Sequence, residues 1–187
     1  NVGAWVLLVK GGASNTAAVL QLAGRLRPIR LAAELVAALF GPPLATYTGV
    51  LLSDTAVPAW HEARRELPLL FGASAAASAG ALACAFLGTD DAGPARRLAV
   101  GGVVAEGILM NEMVRRLGTA GEVYRQGPAR RLSWAARTLA GAGAALLATR
   151  GRKSASAAAV GGALVCAGEI DLQTAQGRFK RIDNQPL

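Results

Sequence analysis

Leu67-Pro-Leu-Leu-Phe-Gly-Ala-Ser-Ala-Ala-Ala-Ser-Ala-Gly-Ala-Leu-Ala-Cys-Ala-Phe-Leu87 carries no charged side chain from end to end. Charges crowd its two edges: Glu62, Arg64, Arg65 and Glu66 precede it, and Asp90 and Asp91 follow it. A soluble helix spreads its charges along one face. An uncharged stretch of about 20 residues is what the hydrocarbon core of a bilayer demands. Residues 67–87 therefore read as a membrane span.

The same pattern repeats on both sides of this stretch. Val2 to Ala23 and Ile29 to Leu52 precede it; Ala95 to Val114, Leu132 to Thr149 and Ser154 to Leu172 follow. The links between them carry turn chemistry. Arg27-Pro28 opens the second segment with proline in its favoured first turn, and Leu67-Pro68 does the same for the third. Val57-Pro58, the polar run Gly88 to Pro94, the long run Gly118 to Pro128 and the basic turn Gly151 to Lys153 separate the rest. Short links imply antiparallel neighbours. The expected fold class is an all-α integral membrane protein, an up-and-down transmembrane helix bundle of about six spans over residues 1–176, with a polar C-terminal tail at 177–187. Its expected place is the cell membrane, as a multi-pass protein.

Composition agrees with that reading. Of 187 residues, 52% are apolar and 17% charged, below the roughly 25% charge of soluble domains. The mean hydropathy is only +0.35, because Ala and Gly fill the spans in place of Leu, Ile and Phe. Small residues let helices approach closely. The rival reading is a soluble Ala-rich helical bundle. A net charge of +8 raises nucleic acid as a partner. However, the arginines stand at span ends (Arg25, Arg27 and Arg30; Arg64 and Arg65; Arg96 and Arg97; Arg115 and Arg116; Arg130 and Arg131; Arg150 and Arg152). That placement suits lipid head groups and the bilayer as partner, not nucleic acid. The two sides carry similar basic clusters, so charge asymmetry gives no orientation. The chain begins at Asn1 without Met or a basic leader, and it reads as a segment of a longer protein.

Two cysteines, Cys84 and Cys166, lie within spans, too few for a four-cysteine iron–sulfur cluster. One histidine, His61, excludes a bis-histidine haem within the chain. The ligand spacing of a metal site, a phosphate-binding loop and a nucleophile elbow are all missing from the sequence. Gly41-Pro42-Pro43 interrupts the second span, either as a structural kink or as the border of a binding cavity. Beyond it, Tyr47, Thr48, Ser53 and Asp54 gather hydroxyls and a carboxylate where the span meets its loop, and Trp60 and His61 follow. Trp60 suits the membrane–water boundary on physical grounds alone, and His61 brings an imidazole able to exchange protons. Glu106 stands inside the fourth span. A carboxylate there points to proton relay or to a hydrogen bond between helices. Lys10, mid-span in the first helix, must face the bundle interior, snorkel, or mark a shifted boundary.

The run Tyr47-Thr-Gly-Val-Leu-Leu-Ser-Asp-Thr-Ala-Val-Pro-Ala-Trp60, followed by Leu67-Pro-Leu-Leu-Phe-Gly, resembles the NrfD/PsrC family, the membrane subunits of polysulfide reductase and related quinone oxidoreductases. Asn1-Val-Gly-Ala-Trp5 and Glu112-Met-Val-Arg-Arg-Leu-Gly118 are similar too, and the likeness covers roughly residues 1–165. Residues 169–187 and Lys10 depart from the family pattern. The resemblance implies eight or more helices in two bundles, with the first two or three preceding this segment. It implies a quinone (menaquinone or ubiquinone) as the bound cofactor, with no haem and no iron–sulfur cluster in this chain. It implies a ferredoxin-like iron–sulfur subunit and a catalytic subunit, often a molybdopterin enzyme, as partners. Tyr47 then matches the tyrosine expected at the quinone pocket, with Thr48, Ser53 and Trp60 around it and His61, Asp54 and Glu106 as proton-transfer groups. The functional expectation is a quinone-interacting membrane anchor of an oxidoreductase complex, either a quinone-reactive or a non-catalytic subunit. The alternative is a small-solute or ion transporter with its site at the proline-interrupted helix. A bare structural anchor is the third reading.

Overall fold

Glycine and proline punctuate the chain, and the helices fall between them. A computed structural model describes residues 2–24, 26–54, 58–87, 89–118, 127–151, 153–154 and 156–168. Through these run α1 Val2–Ala23, α2 Arg27–Ser53, α3 Pro58–Glu62, α4 Leu67–Phe86, α5 Gly93–Arg116, α6 Gly127–Thr149 and α7 Ser156–Gly168. No strand occurs among the described residues. Prolines stand in the first turn of α2, α4 and α5, where a missing N–H breaks no helical bond. The α1–α2 turn closes through Gly24 at φ 63° and Leu26 at φ 55°. The glycine adopts that left-handed backbone freely; the leucine is strained by it.

Three helices, α1, α2 and α4, are long and apolar enough to cross a membrane. α5 has 24 residues and α6 has 23, but both are less apolar along their length. Arg96, Arg97, Glu106, Glu112, Arg115 and Arg116 lie on α5, and Arg130, Arg131 and Arg137 on α6. α7 is apolar and shorter. The expected sixth span beyond Gly168, the loop positions 119–126 and the tail at 177–187 lie outside the described residues.

Neighbours in sequence pack as neighbours in space: α1 on α2, α2 on α4, α4 on α5 and α5 on α6. α7 lies against both α4 and α6. Gly162 meets the Ala81 carbonyl, Gly143 faces Gly161, and Gly168 faces Ala136 and Ala140. Small residues make the α4–α5 seam. A methyl group on Gly80 would strike the backbone of Ala95 and Ala99, and one on Gly102 the backbone of Ala73 and Ala77. Backbones this close gain dispersion contacts that lipid cannot replace. Two buried clusters result. One joins Trp60, Ala63, Leu67, Leu70, Met110, Met113 and Leu117. The other joins Ala77, Ala81, Cys84 and Ala99 with Leu147, Ala158 and Val165. Many other large apolar side chains turn outward, with Leu22 at 90% and Phe86 at 83% exposure. A water-facing surface of that kind is unusual for a soluble monomer, whereas hydrocarbon is its natural solvent.

The proline pair leaves α2 continuous from Arg27 to Ser53. The Thr46 hydroxyl donates to the carbonyls of Pro42 at 3.0 Å and Pro43 at 3.2 Å, tying the turn that follows the prolines to the prolines themselves. Lys10 faces this region. Its Cε is 4.0 Å from the position of a Cβ on Gly41, so the half-buried lysine lies along α2.

Candidate functional site: a cavity beside Glu106

On α5 the buried positions are Ala99, Gly102, Glu106, Met110 and Met113, spaced three and four apart as one helix face requires. Glu106 therefore belongs to the inward stripe and is only 7% exposed. Beside it opens a cavity of about 690 Å³ between α5, α6 and the end of α7. Val103, Ile108, Met110, Ala136 and Ala140 give it apolar walls, and Asn111, Glu112, Arg115 and Arg137 bring polar groups to it. A mostly apolar cleft with a few convergent polar groups is the usual form of a small-molecule site. Glu112 is six residues from Glu106, about 9 Å along the helix axis. The carboxylates thus mark a line from the interior toward the charged end of α5. Chemically, Glu106 can accept a proton or a hydrogen bond from a ligand hydroxyl, and the guanidinium groups can balance negative charge.

The residues expected at the end of α2 are arranged differently. Tyr47 is half-buried and turns its ring to α1, filling the notch left by Gly3; a methyl group there would overlap the ring and its hydroxyl. Thr48 is exposed. Ser53 is buried, and its hydroxyl donates to the Val50 carbonyl of its own helix at 2.7 Å. Asp54 ends α2 and is exposed. Trp60 is 7% exposed and belongs to the cluster of α4 and α5 side chains. His61 is exposed, with its Nε2 3.5 Å from Arg64 Nη1.

Tyr47, Thr48, Ser53, Asp54, Trp60 and His61 do not line the cavity that Glu106 lines. Met110 belongs to both the Trp60 cluster and the cavity wall and is the link between the two regions. Arg137 went unnoticed as a site residue in the sequence, although a signal was present. It lies inside the expected span Leu132 to Thr149, and a cation at such a position is itself a functional pointer. No family model, curated protein or solved structure matches this chain.

Proposed function

We propose that this chain is a quinone-interacting membrane subunit of an oxidoreductase complex, passing electrons between the quinone pool and an iron–sulfur partner subunit. The observation that carries the reading is the apolar cavity with the buried carboxylate of Glu106 on its wall. A quinone ring is flat, apolar and polar only at its two oxygens. Its oxidation and reduction move electrons and protons together, so a titratable group within hydrogen-bond reach of an oxygen is a chemical requirement. Glu106 holds that proton at its carboxylate. Val103 and Met110 exclude water from the ring, and Arg137 offsets negative charge. The likeness of the Tyr47–Trp60 run to the NrfD/PsrC family supports the same class of function, and with it the expected iron–sulfur and molybdopterin partners.

The reading extends to the fold. α5, α6 and α7 become further spans, six in all, within a two-bundle assembly of eight or more helices in the cell membrane. What supports α5 as a span is its length, about 36 Å for 24 residues, and the position of its charges. Arg96, Arg97, Glu112, Arg115 and Arg116 lie near its ends, from which long side chains reach the head groups.

The test is a titration of the purified protein in mild detergent with a fluorescent quinol-site inhibitor. Wild type should quench saturably. Glu106→Gln should weaken binding about tenfold, the effect of losing a charge-assisted hydrogen bond. Tyr47→Phe should leave it within about twofold. The reverse pattern would move the ring to the α1–α2 notch, and no saturable quenching by wild type would sink the reading.

A further inference from the structure

A second pocket, of about 380 Å³, opens at the end of the bundle where α5 finishes and α4 begins. Four of its six lining residues are charged, Arg64, Arg65 and Arg116 against Glu62, with His61 and Leu117 beside them. It shares no lining residue with the Glu106 cavity. Three features fix its geometry. The Nη2 of Arg116 donates to the Glu62 carbonyl at 2.7 Å and to Glu66 Oε2 at 2.6 Å, which holds that guanidinium across the α3–α4 corner. Trp60 and Ala63 are buried on the same short segment, so the corner is anchored from beneath. Arg64 Nη1 faces His61 Nε2 at 3.5 Å; in that contact the guanidinium donates and the ring accepts. The result is a cradle of guanidinium donors on an anchored corner, where Arg64, Arg65 and Arg116 stand against Glu62 and the Glu66 carboxylate that Arg116 pairs.

We propose that this cradle binds a phosphate group, and that its natural source is the head group of an anionic phospholipid. Guanidinium forks match phosphate oxygens bidentately, and basic pockets among membrane helices take lipid head groups. The pocket's level in the molecule favours the lipid. α2 and α4, both apolar enough to span a membrane, end and begin at this corner, so the pocket belongs to the boundary between hydrocarbon and water. Leu69, on the first turn of α4, is 56% exposed and offers apolar surface to an acyl chain just inside that boundary.

The experiment reads Trp60 from within the corner. The full chain carrying Trp5→Phe and Trp134→Phe, which leaves Trp60 as its sole tryptophan, is reconstituted into phosphatidylcholine vesicles. A small fraction of brominated phosphatidylglycerol or of brominated phosphatidylcholine is then added. Brominated phosphatidylglycerol should quench Trp60 at several-fold lower mole fraction than brominated phosphatidylcholine. Arg64→Gln with Arg65→Gln should abolish that preference, and Arg64→Lys with Arg65→Lys should retain part of it. Both arginines are exposed, so the pair can be changed without opening the core. Equal quenching by the two lipids in wild type overturns the proposal, as does a preference that survives the double glutamine change. Inorganic phosphate, added at a concentration matched to the anionic lipid, separates the sources. Unchanged quenching assigns the cradle to the lipid; full reversal assigns it to a soluble phosphate and overturns the lipid assignment.

Discussion

Trp60 stands where the sequence puts the membrane–water boundary, at which membrane proteins commonly leave tryptophan half in the head groups, yet it packs with Leu67, Leu70, Met110 and Met113. Its ring joins the α3 corner to α5. Truncation to alanine leaves a cavity that the surrounding helices cannot collapse to fill. Trp60→Ala should therefore cost about 3 kcal/mol or more, measured as a lowered midpoint of unfolding in detergent. Trp134, 66% exposed on α6, should tolerate the same change with a loss under about 1 kcal/mol. The sequence distinguishes these tryptophans poorly, because the partners that bury Trp60 come from α5, some fifty residues away. Glu106 was legible: a carboxylate inside an apolar span is conspicuous, and its neighbours at three- and four-residue spacing set the face it shares. The surroundings of Tyr47 were not legible, since a glycine at position 3 leaves no mark of the ring that fills its place. Ser53 spends its hydroxyl on its own helix, a local bond that competes with any ligand and that composition does not reveal.

At the scale of helices, the α4–α5 seam depends on glycine at two points and is indifferent to it at others. A Cβ on Gly102 meets backbone atoms of Ala73 and Ala77, whereas one on Gly101 meets nothing within 4 Å. Backbone cannot swing aside as a side chain can. Gly102→Leu should thus destabilise by about 3 kcal/mol and Gly101→Leu by less than about 0.5 kcal/mol, compared by thermal aggregation in the same detergent. Equal losses would mean that the seam is not packed through Gly102. The proline-marked starts of α2, α4 and α5 could be read in advance, because proline's fixed φ and missing N–H suit only the first turn. The start of α6 could not. Sequence reading opens that span at Leu132, after the arginines, whereas the helix begins at Gly127. Hydropathy measures the part of a helix suited to hydrocarbon; the helix itself can run on as polar turns beyond it. The proline pair of α2 shows the same limit in reverse. Its chemistry suggests a break, yet the helix runs on through both prolines.

For the whole molecule, the outward placement of Leu22, Leu35, Leu39 and Phe86 makes the bilayer part of the fold. The chain should stay with the membrane pellet through washes with high salt and alkaline carbonate, and it should leave only with detergent. Release by carbonate would favour the soluble Ala-rich bundle. The helical class was legible from uncharged stretches of the right length. The arrangement of helices was not: α4 is apolar on all sides, so its sequence has no face to declare, and only backbone proximity at Gly80 and Ala77 assigns one. The chain of contacts from α1 to α2, α2 to α4 and α4 to α5 also bears on how the molecule is made. α2, α4 and α5 each find a principal partner in a helix made before them, and closing the chain between near neighbours costs little entropy. α7 is the exception. It meets Ala81 of α4 as well as α6, so it docks into a groove that exists only once α4 and α6 are in place, and its Gly168 then completes the lining of the Glu106 cavity.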